Sequence, residues 1–277
     1  MSPVENQRKI NTPYSLLPTP YSPIVFSDFD GTITEGDAVD EILTRFADPS
    51  WRELEQEWAH GAIGSRECLA RQMALVDASE PELEALIDSV TVDPHFPAFL
   101  RFTRAAGVAF HVVSDGFDYI ISRVLERAGV AGELTHNGQH LFSSVLRVEG
   151  RRCVATFPRP ACEHGCATCK PEVIRDVVRQ VTRQVIPRRG GARPPVVFIG
   201  DGLSDRFAVE QADVVFAKRR LLDYCRECGI GCHAFETFAD IERELRRMTG
   251  APTGEIKRRE ANGKKRTRRA LALTNRD

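Results

Sequence analysis

The sequence predicts an α/β fold: a parallel sheet covered by helices on both faces, with a small helical cap inserted after the first strand. Two observations lead there. Short apolar runs bounded by polar loops alternate with amphipathic helical stripes, which is how a sheet buried on both faces is written. One long stretch, Asp37 to Val90, breaks the alternation and keeps a helical period throughout.

Residues 1–23 open the chain with Pro at 3, 13, 18, 20 and 23, a loose arm with little to pack. Ile24-Val25-Phe26 then reads as a buried strand running into the polar loop Ser27-Asp28-Phe29-Asp30-Gly31-Thr32. In the insert, Val39, Ile42, Leu43, Phe46 and Ala47 follow i, i+3, i+4, i+7, i+8. Further stripes are Trp51, Leu54, Trp58; Leu69, Met73, Val76; and Leu83, Leu86, Ile87, Val90. These divide the chain into an arm at 1–23, a core at 24–36 and 93–250, a helical cap at 37–92, and a tail at 251–277.

After the insert, a helix is expected over Phe96–Ala105 and a strand over Val108–Val113, stopping at Ser114-Asp115-Gly116. Phe117, Ile120, Ile121, Val124 and Leu125 make the next amphipathic helix. Residues 134–149 contain Asn137-Gly138, which suits a hairpin turn. A helix from Pro171 to about Ile186 has Pro in its first turn, where proline is tolerated. The strand Val196–Ile199 leads into Gly200-Asp201-Gly202-Leu203-Ser204-Asp205, and short apolar runs at Val214–Ala217 and His233–Phe235 complete the unit.

Composition sets the class. The 277 residues are 42% apolar and 28% charged, enough to bury a large core. No run of 18 apolar residues is present, so no membrane span is expected, and the polar start carries no secretion signal. A cytoplasmic location follows as the expectation. The tail holds nine Lys/Arg and three Asp/Glu, leaving 29 basic and 36 acidic residues in 1–250. An acidic body argues against nucleic acid as a partner, and the tail reads as a solvated appendage with few apolar residues to fold it. Oligomeric state has no signature in the sequence.

Four motifs sit at or just after expected strand ends, where ligands bind in open α/β sheets. Asp28 and Asp30, at i and i+2, lie on one side of the chain and can act as a pair. Asp28 suits a nucleophile and Asp30 an acid and then a base, although Asp-Gly turns capped by a Thr such as Thr32 also occur without function. Ser114, beside the backbone N–H groups of Asp115 and Gly116, can bind phosphate oxygens or simply cap the next helix. Lys170 can offset anionic charge. Asp201 and Asp205 offer the hard oxygens that Mg²⁺ takes.

As an ordered set, Asp-x-Asp-Gly-Thr, Ser, Lys and Gly-Asp-Gly-x-x-Asp resemble the motifs of the haloacid dehalogenase-like superfamily, over Val25 to about Ala217. The helical insert resembles the small cap of its phosphoserine-phosphatase branch. Within that branch, Ser27–Asp37, Phe46–Trp51, Cys162–Pro171 and Val215–Cys225 are similar to phosphatases of methionine salvage. The resemblance implies a Rossmann-like core and hydrolysis of a small phosphorylated metabolite through an aspartyl-phosphate. It implies Asp28 as nucleophile, Asp30 as acid and base, and Ser114 and Lys170 on phosphate. It places Mg²⁺ among Asp28, the Asp30 carbonyl and Asp201, with Asp205 acting indirectly. Thr32, Asp115 and Gly116 join the phosphate-binding set, although Asp115 stands where the branch usually has Gly. Asp37 falls where the branch often has an acidic group facing substrate, and equally suits the N-cap of the Val39–Ala47 helix.

Phosphoserine, phosphocholine and phosphoethanolamine remain alternative substrates, and a non-catalytic phosphate-binding regulator is the alternative of another class. Cys162, Cys166 and Cys169 have the spacing C-x3-C-x2-C with His164 between them. That spacing can hold a structural Zn²⁺ with His164 or Cys153 as fourth ligand, but three reduced thiols in a tight loop is the preferred reading.

Overall fold

The structure is a computed structural model that describes residues 22–134, 141–185 and 193–250. The arm up to residue 21, the tail 251–277 and the Asn137-Gly138 turn lie outside the described residues.

Strand β1 (Ile24–Ser27) is followed by four helices, α1 (Ala38–Phe46), α2 (Trp51–Ala59), α3 (Ser65–Ala74) and α4 (Glu80–Ile87). The core resumes with α5 (Phe96–Ala105), β2 (Ala109–Phe117), α6 (Asp118–Arg127), the single turn α7 (Ala131–Leu134), β3 (Leu141–Glu149) and β4 (Arg152–Thr156). It ends with α8 (Lys170–Val185), β5 (Val196–Gly200), β6 (Val214–Ala217), α9 (Arg219–Glu227), β7 (His233–Ala234) and α10 (Phe238–Thr249). The seven strands pair in the order β4-β3-β2-β1-β5-β6-β7, all parallel except the edge strand β4. No helix among the described residues is long and apolar enough to cross a membrane.

The period of two along a strand divides the core between the two sheet faces. Val25, Phe110, Val112, Val197 and Phe216 face one cluster, which α5, α6 and α10 cover. Ile24, Phe26, Val113, Phe198 and Val215 face a second, covered by α8 and α9. Phe96, Phe99, Phe110 and Phe238 meet on the first face with ring centroids 4.9 to 5.9 Å apart. Burying each such ring contributes on the order of 2–3 kcal/mol.

The four-helix insert buries Val39, Ile42, Leu43, Trp51 and Met73 in the same cluster as that first face. Its stem is a pair of crossing segments: Glu35 N donates to Thr91 O and Asp93 N to Ile33 O, both at 2.9 Å. At the far side Ala78 N donates to Arg151 O, and Arg151 pairs with Asp77 and Glu82.

Two boundaries differ from expectation. β2 does not stop at Val113 but continues to Phe117, with its register against β3 slipping between the two. Ser144 Oγ donates to Asp115 O at 3.1 Å across that slip, so the polar motif stays attached to the sheet. Among the described residues a hairpin turns at Gly150-Arg151, between β3 and β4. Gly150 takes φ 66, the geometry a two-residue turn with Gly first requires. One helix start also moves: α8 begins on Lys170, so Pro171 takes its second position.

Candidate active site

The parallel order puts the carboxyl ends of β1, β2 and β5 side by side, and their loops meet there. Asp28, directly after β1, is 6% exposed; Asp201, directly after β5, is 9% exposed. One oxygen from each of Asp28, Asp201 and Asp205 lies within 4.8 Å of the others. Three carboxylates so close and so buried need cations, because taking unpaired charge out of water is costly.

Lys170 supplies one. It is 2% exposed, with Nζ 2.9 Å from Asp28 Oδ1 and 2.6 Å from Asp205 Oδ1. Burial alone would lower its pKa, but Asp205, Asp28 and Asp115 outweigh that and raise it, so the ammonium is retained. Lys170 thus sits beneath the nucleophile candidate. Asp205 Oδ2 accepts from Asp201 N and Gly202 N at 3.1 and 3.2 Å. Both its oxygens are therefore engaged, and burial with Asp28 pushes its carboxyl pKa upward against the pull of Lys170.

Asp201 is held from both sides. Thr32 Oγ1 donates to its Oδ1 at 2.9 Å, and Arg219 Nη1 to its Oδ2 at 3.2 Å. Thr32 is fully buried, and its hydroxyl serves a carboxylate rather than facing the cavity. Gly31 is at φ 69, and a Cβ there would stand 2.3 Å from Asp201 Oδ2, so the close approach of the two loops requires glycine.

Asp30 reaches into the cavity with Oδ1 accepting from Ala38 N at 3.0 Å. Burial first, and the Asp28 charge second, push its carboxyl up to about 7. Ser114 Oγ accepts from Gly116 N at 2.9 Å, inside the β2 slip. It does not cap α6, whose N-cap is Phe117. Asp37 is the N-cap of α1, accepting from Val39 N and Asp40 N, and it also lines the cavity. The N-cap position is the one its hydrogen bonds occupy.

Asp115 lines the cavity, and both its oxygens are engaged within the chain. Its Oδ2 accepts from Ser65 Oγ at 2.7 Å and its Oδ1 from Thr168 N at 2.8 Å. The carboxylate joins the start of α3 to the loop before α8. The cysteine loop is close by, with Cys162, His164 and Cys166 presenting ligand atoms within 4.8 Å of one another. Cys153 is apart from them, in β4.

The cavity over this centre is about 240 Å³. Its floor is Asp28, Asp30, Ser114, Gly116 and Asp201; its ceiling comes from the insert, with Val39, Asp40, Glu55, Trp58, Leu69 and Gln72. Residues that sequence reasoning missed are the ceiling acids Asp40 and Glu55, Ser65, and the pair Lys218 and Arg219. Lys218 Nζ donates to Thr32 O at 3.2 Å, and Arg219, at φ 50, also donates to Gly31 O and Glu35 O. Their position directly after the apolar run Val214–Ala217 was the available signal, since it is another carboxyl end of the sheet.

Comparison with known proteins agrees with this geometry. The family model described as haloacid dehalogenase-like hydrolase matches residues 25–210. A 2-hydroxy-3-keto-5-methylthiopentenyl-1-phosphate phosphatase from Exiguobacterium sp. is 31% identical over 227 residues, covering 80% of this chain and 96% of that protein. One from Geobacillus kaustophilus is 29% identical over 230 residues, covering 81% and 96%. Among solved structures, a phospho-aspartyl intermediate analogue of phosphoserine phosphatase superposes with a TM-score of 0.60 at 19% identity, covering 80% of this chain and 98% of that one. That last likeness is one of fold.

Proposed function

We propose, because the chain belongs to the haloacid dehalogenase-like hydrolases, that it is a Mg²⁺-dependent phosphatase of a small cytoplasmic metabolite. The observation that carries this reading is Lys170 bridging Asp28 and Asp205 beneath an acid-lined cavity.

The donor set fits Mg²⁺. It is all carboxylate oxygen, buried, and richer in anions than its neighbouring cations can balance. Asp28, Asp201 and the Asp30 carbonyl would hold the ion, with Asp205, whose oxygens are already engaged, steadying Lys170 and the Asp201 backbone. Bound there, Mg²⁺ screens the repulsion between a phosphate and the carboxylate that attacks it.

The chain's own groups supply the rest. Lys170 holds Asp28 Oδ1, so the other oxygen attacks phosphorus and an aspartyl-phosphate forms. Asp30, with its carboxyl near 7, gives its proton to the leaving oxygen and then takes one from the water that hydrolyses the intermediate. Ser114 accepts from Gly116 N and keeps its hydroxyl proton for a phosphate oxygen. The insert, residues 37–92, acts as a cap that roofs the site and excludes water.

The relatives' substrate, 2-hydroxy-3-keto-5-methylthiopentenyl-1-phosphate, is the first candidate. Val39, Leu69 and Trp58 in the ceiling offer apolar surface for a methylthio end, and Gln72 a partner for hydroxyl or keto oxygen. A second reading rests on Asp40 and Glu55 beside Trp58, which suit the ammonium of phosphoethanolamine or phosphocholine. Phosphoserine is disfavoured, because its carboxylate would meet these acids. A non-catalytic regulator has no use for a pair like Asp28 and Asp30.

Turnover of these four phosphates with Mg²⁺, beside Asp28→Asn and EDTA controls, tests the proposal. The methylthio substrate is expected to show the highest kcat/KM. Turnover of none, or turnover indifferent to both controls, would defeat the phosphatase reading.

A further inference from the structure

The loop between β4 and α8 carries a second constellation that shares no side chain with the carboxylate centre. Its turn, Cys162 to Gly165, is closed by Gly165 N donating to Cys162 O at 3.0 Å. That turn folds His164 and Cys166 back beside Cys162, so that one ligand atom from each lies within 4.8 Å of the other two. Cys166 N donates to Cys162 Sγ at 3.4 Å. The Cys169 thiol is near enough to the Cys162 sulfur for the two to interact. A cysteine sulfur that accepts from a backbone N–H faces its donors with its lone pairs, and the thiolate is the form that binds metal.

We propose that Cys162, His164, Cys166 and Cys169 form a structural site for a thiophilic divalent cation of the Zn²⁺ class. Tetrahedral Zn²⁺, with bonds of about 2.3 Å to sulfur and 2.0 Å to nitrogen, sets its ligand atoms roughly 3.5–3.8 Å apart. The ligand atoms of Cys162, His164 and Cys166, within 4.8 Å of one another, need to draw in by about 1.3 Å at most to meet that, a shift within side-chain rotation. Soft thiolates with one imidazole select Zn²⁺ over the hard cation suited to the carboxylates.

The position gives such an ion a purpose. Arg66 N, in the first turn of α3, donates to Gly165 O at 3.0 Å, and its guanidinium to Cys166 O at 3.3 Å and Arg159 O at 2.6 Å. Ala167 N donates to Ser65 Oγ at 2.9 Å, and Thr168 N to Asp115 Oδ1. Every one of these docking groups lies within the cysteine loop or its approach, and Cys169 directly precedes Lys170. A cation here would brace both the seat of the insert and the start of α8.

The test is a Co²⁺ titration of the reduced, metal-stripped full chain under saturating Mg²⁺, which keeps the carboxylates occupied. About one equivalent is expected to develop a near-ultraviolet thiolate charge-transfer band and intense tetrahedral visible bands, and Zn²⁺ should bleach both. Cys162→Ser, checked for folding by circular dichroism, should lose both; His164→Ala should keep the charge-transfer band and shift the visible ones. No thiolate band in the wild-type chain, or an unchanged spectrum in Cys162→Ser, overturns the site. Neither readout depends on turnover, so the phosphatase reading stands or falls separately.

Discussion

Ser65, the first residue of α3, donates a 2.7 Å hydrogen bond to Asp115, which lies on a different chain segment in the slipped part of β2. The contact joins the roof of the cavity to its floor. Ser65 Oγ also accepts from Ala167 N, so one hydroxyl links three segments. Asp115 is raised by burial, opposed by Lys170 and by the donors Ser65 and Thr168.

Breaking that link should loosen the roof more than it damages the chemistry. Ser65→Ala leaves an acceptor and a donor without their partner, a cost of about 1–3 kcal/mol. Ser65→Ala and Asp115→Asn are each expected to raise KM more than they lower kcat. A double-mutant cycle followed by urea denaturation should give a coupling of about 1–2 kcal/mol. Additive effects would mean the two residues act independently.

Gly31→Ala should be among the most damaging small substitutions in the chain. The new methyl needs a left-handed backbone and space already held by Asp201 Oδ2 and by Arg219 Nη1, at 2.3 and 2.8 Å. Strain of about 1–3 kcal/mol is expected from the backbone alone. Because the loops after β1 and β5 must separate, turnover should fall with stability. A variant of wild-type thermal midpoint and rate would show that the loops have slack.

The positions of the two aspartate motifs were legible because chemistry and periodicity coincide there. Ile24–Phe26 and Val196–Ile199 are apolar runs that end on Asp28 and near Asp201, and parallel strands must bring such ends together. The helix Phe96–Ala105 appears with its expected bounds, set by apolar spacing and a proline at its start. What stayed hidden depends on contacts between distant segments. Nothing near Thr32 announces that its partner is Asp201, 169 residues away. The continuation of β2 through Ser114–Gly116 is likewise set by the neighbouring strand β3, since local polarity there argues for a loop. The donors to Asp115, Ser65 and Thr168, come from an insert and a loop whose docking no local pattern records.

Asp30 predicts two pH effects. Its carboxyl rises from an ordinary 3.8 to about 7 in the fold, through burial and then Asp28. The folded chain therefore holds this proton more tightly than the unfolded one. The associated stability is fully present below about 4 and is lost as pH rises through about 7. With EDTA present, the thermal midpoint should fall between pH 6 and pH 8, and Asp30→Asn should flatten that slope. In catalysis the acid needs its proton, so kcat/KM for an alkyl phosphate should decline on the alkaline side. p-Nitrophenyl phosphate, whose leaving group needs little protonation, should decline less. Identical profiles for the two substrates would remove Asp30 from the acid role.

Lys170 offers the sharpest separation of structure from chemistry. Its ammonium is the buried partner of Asp28 and Asp205, and Lys170→Met would leave both carboxylates facing a thioether. Removing one member of a buried ionic group costs about 3–5 kcal/mol, mostly because the remaining charge is stranded. The loss should shrink toward pH 4, where protonation of the carboxyls relieves the stranded charge. Adding Asp205→Asn should recover part of the stability while restoring no activity, since Asp28 would still lack the cation that holds Oδ1. Urea denaturation across pH, paired with single-turnover phosphate release, reads both quantities on the same proteins. If the double variant regained turnover, Lys170 would matter only as a counter-charge for Asp205, and the alignment of Asp28 would have to come from elsewhere.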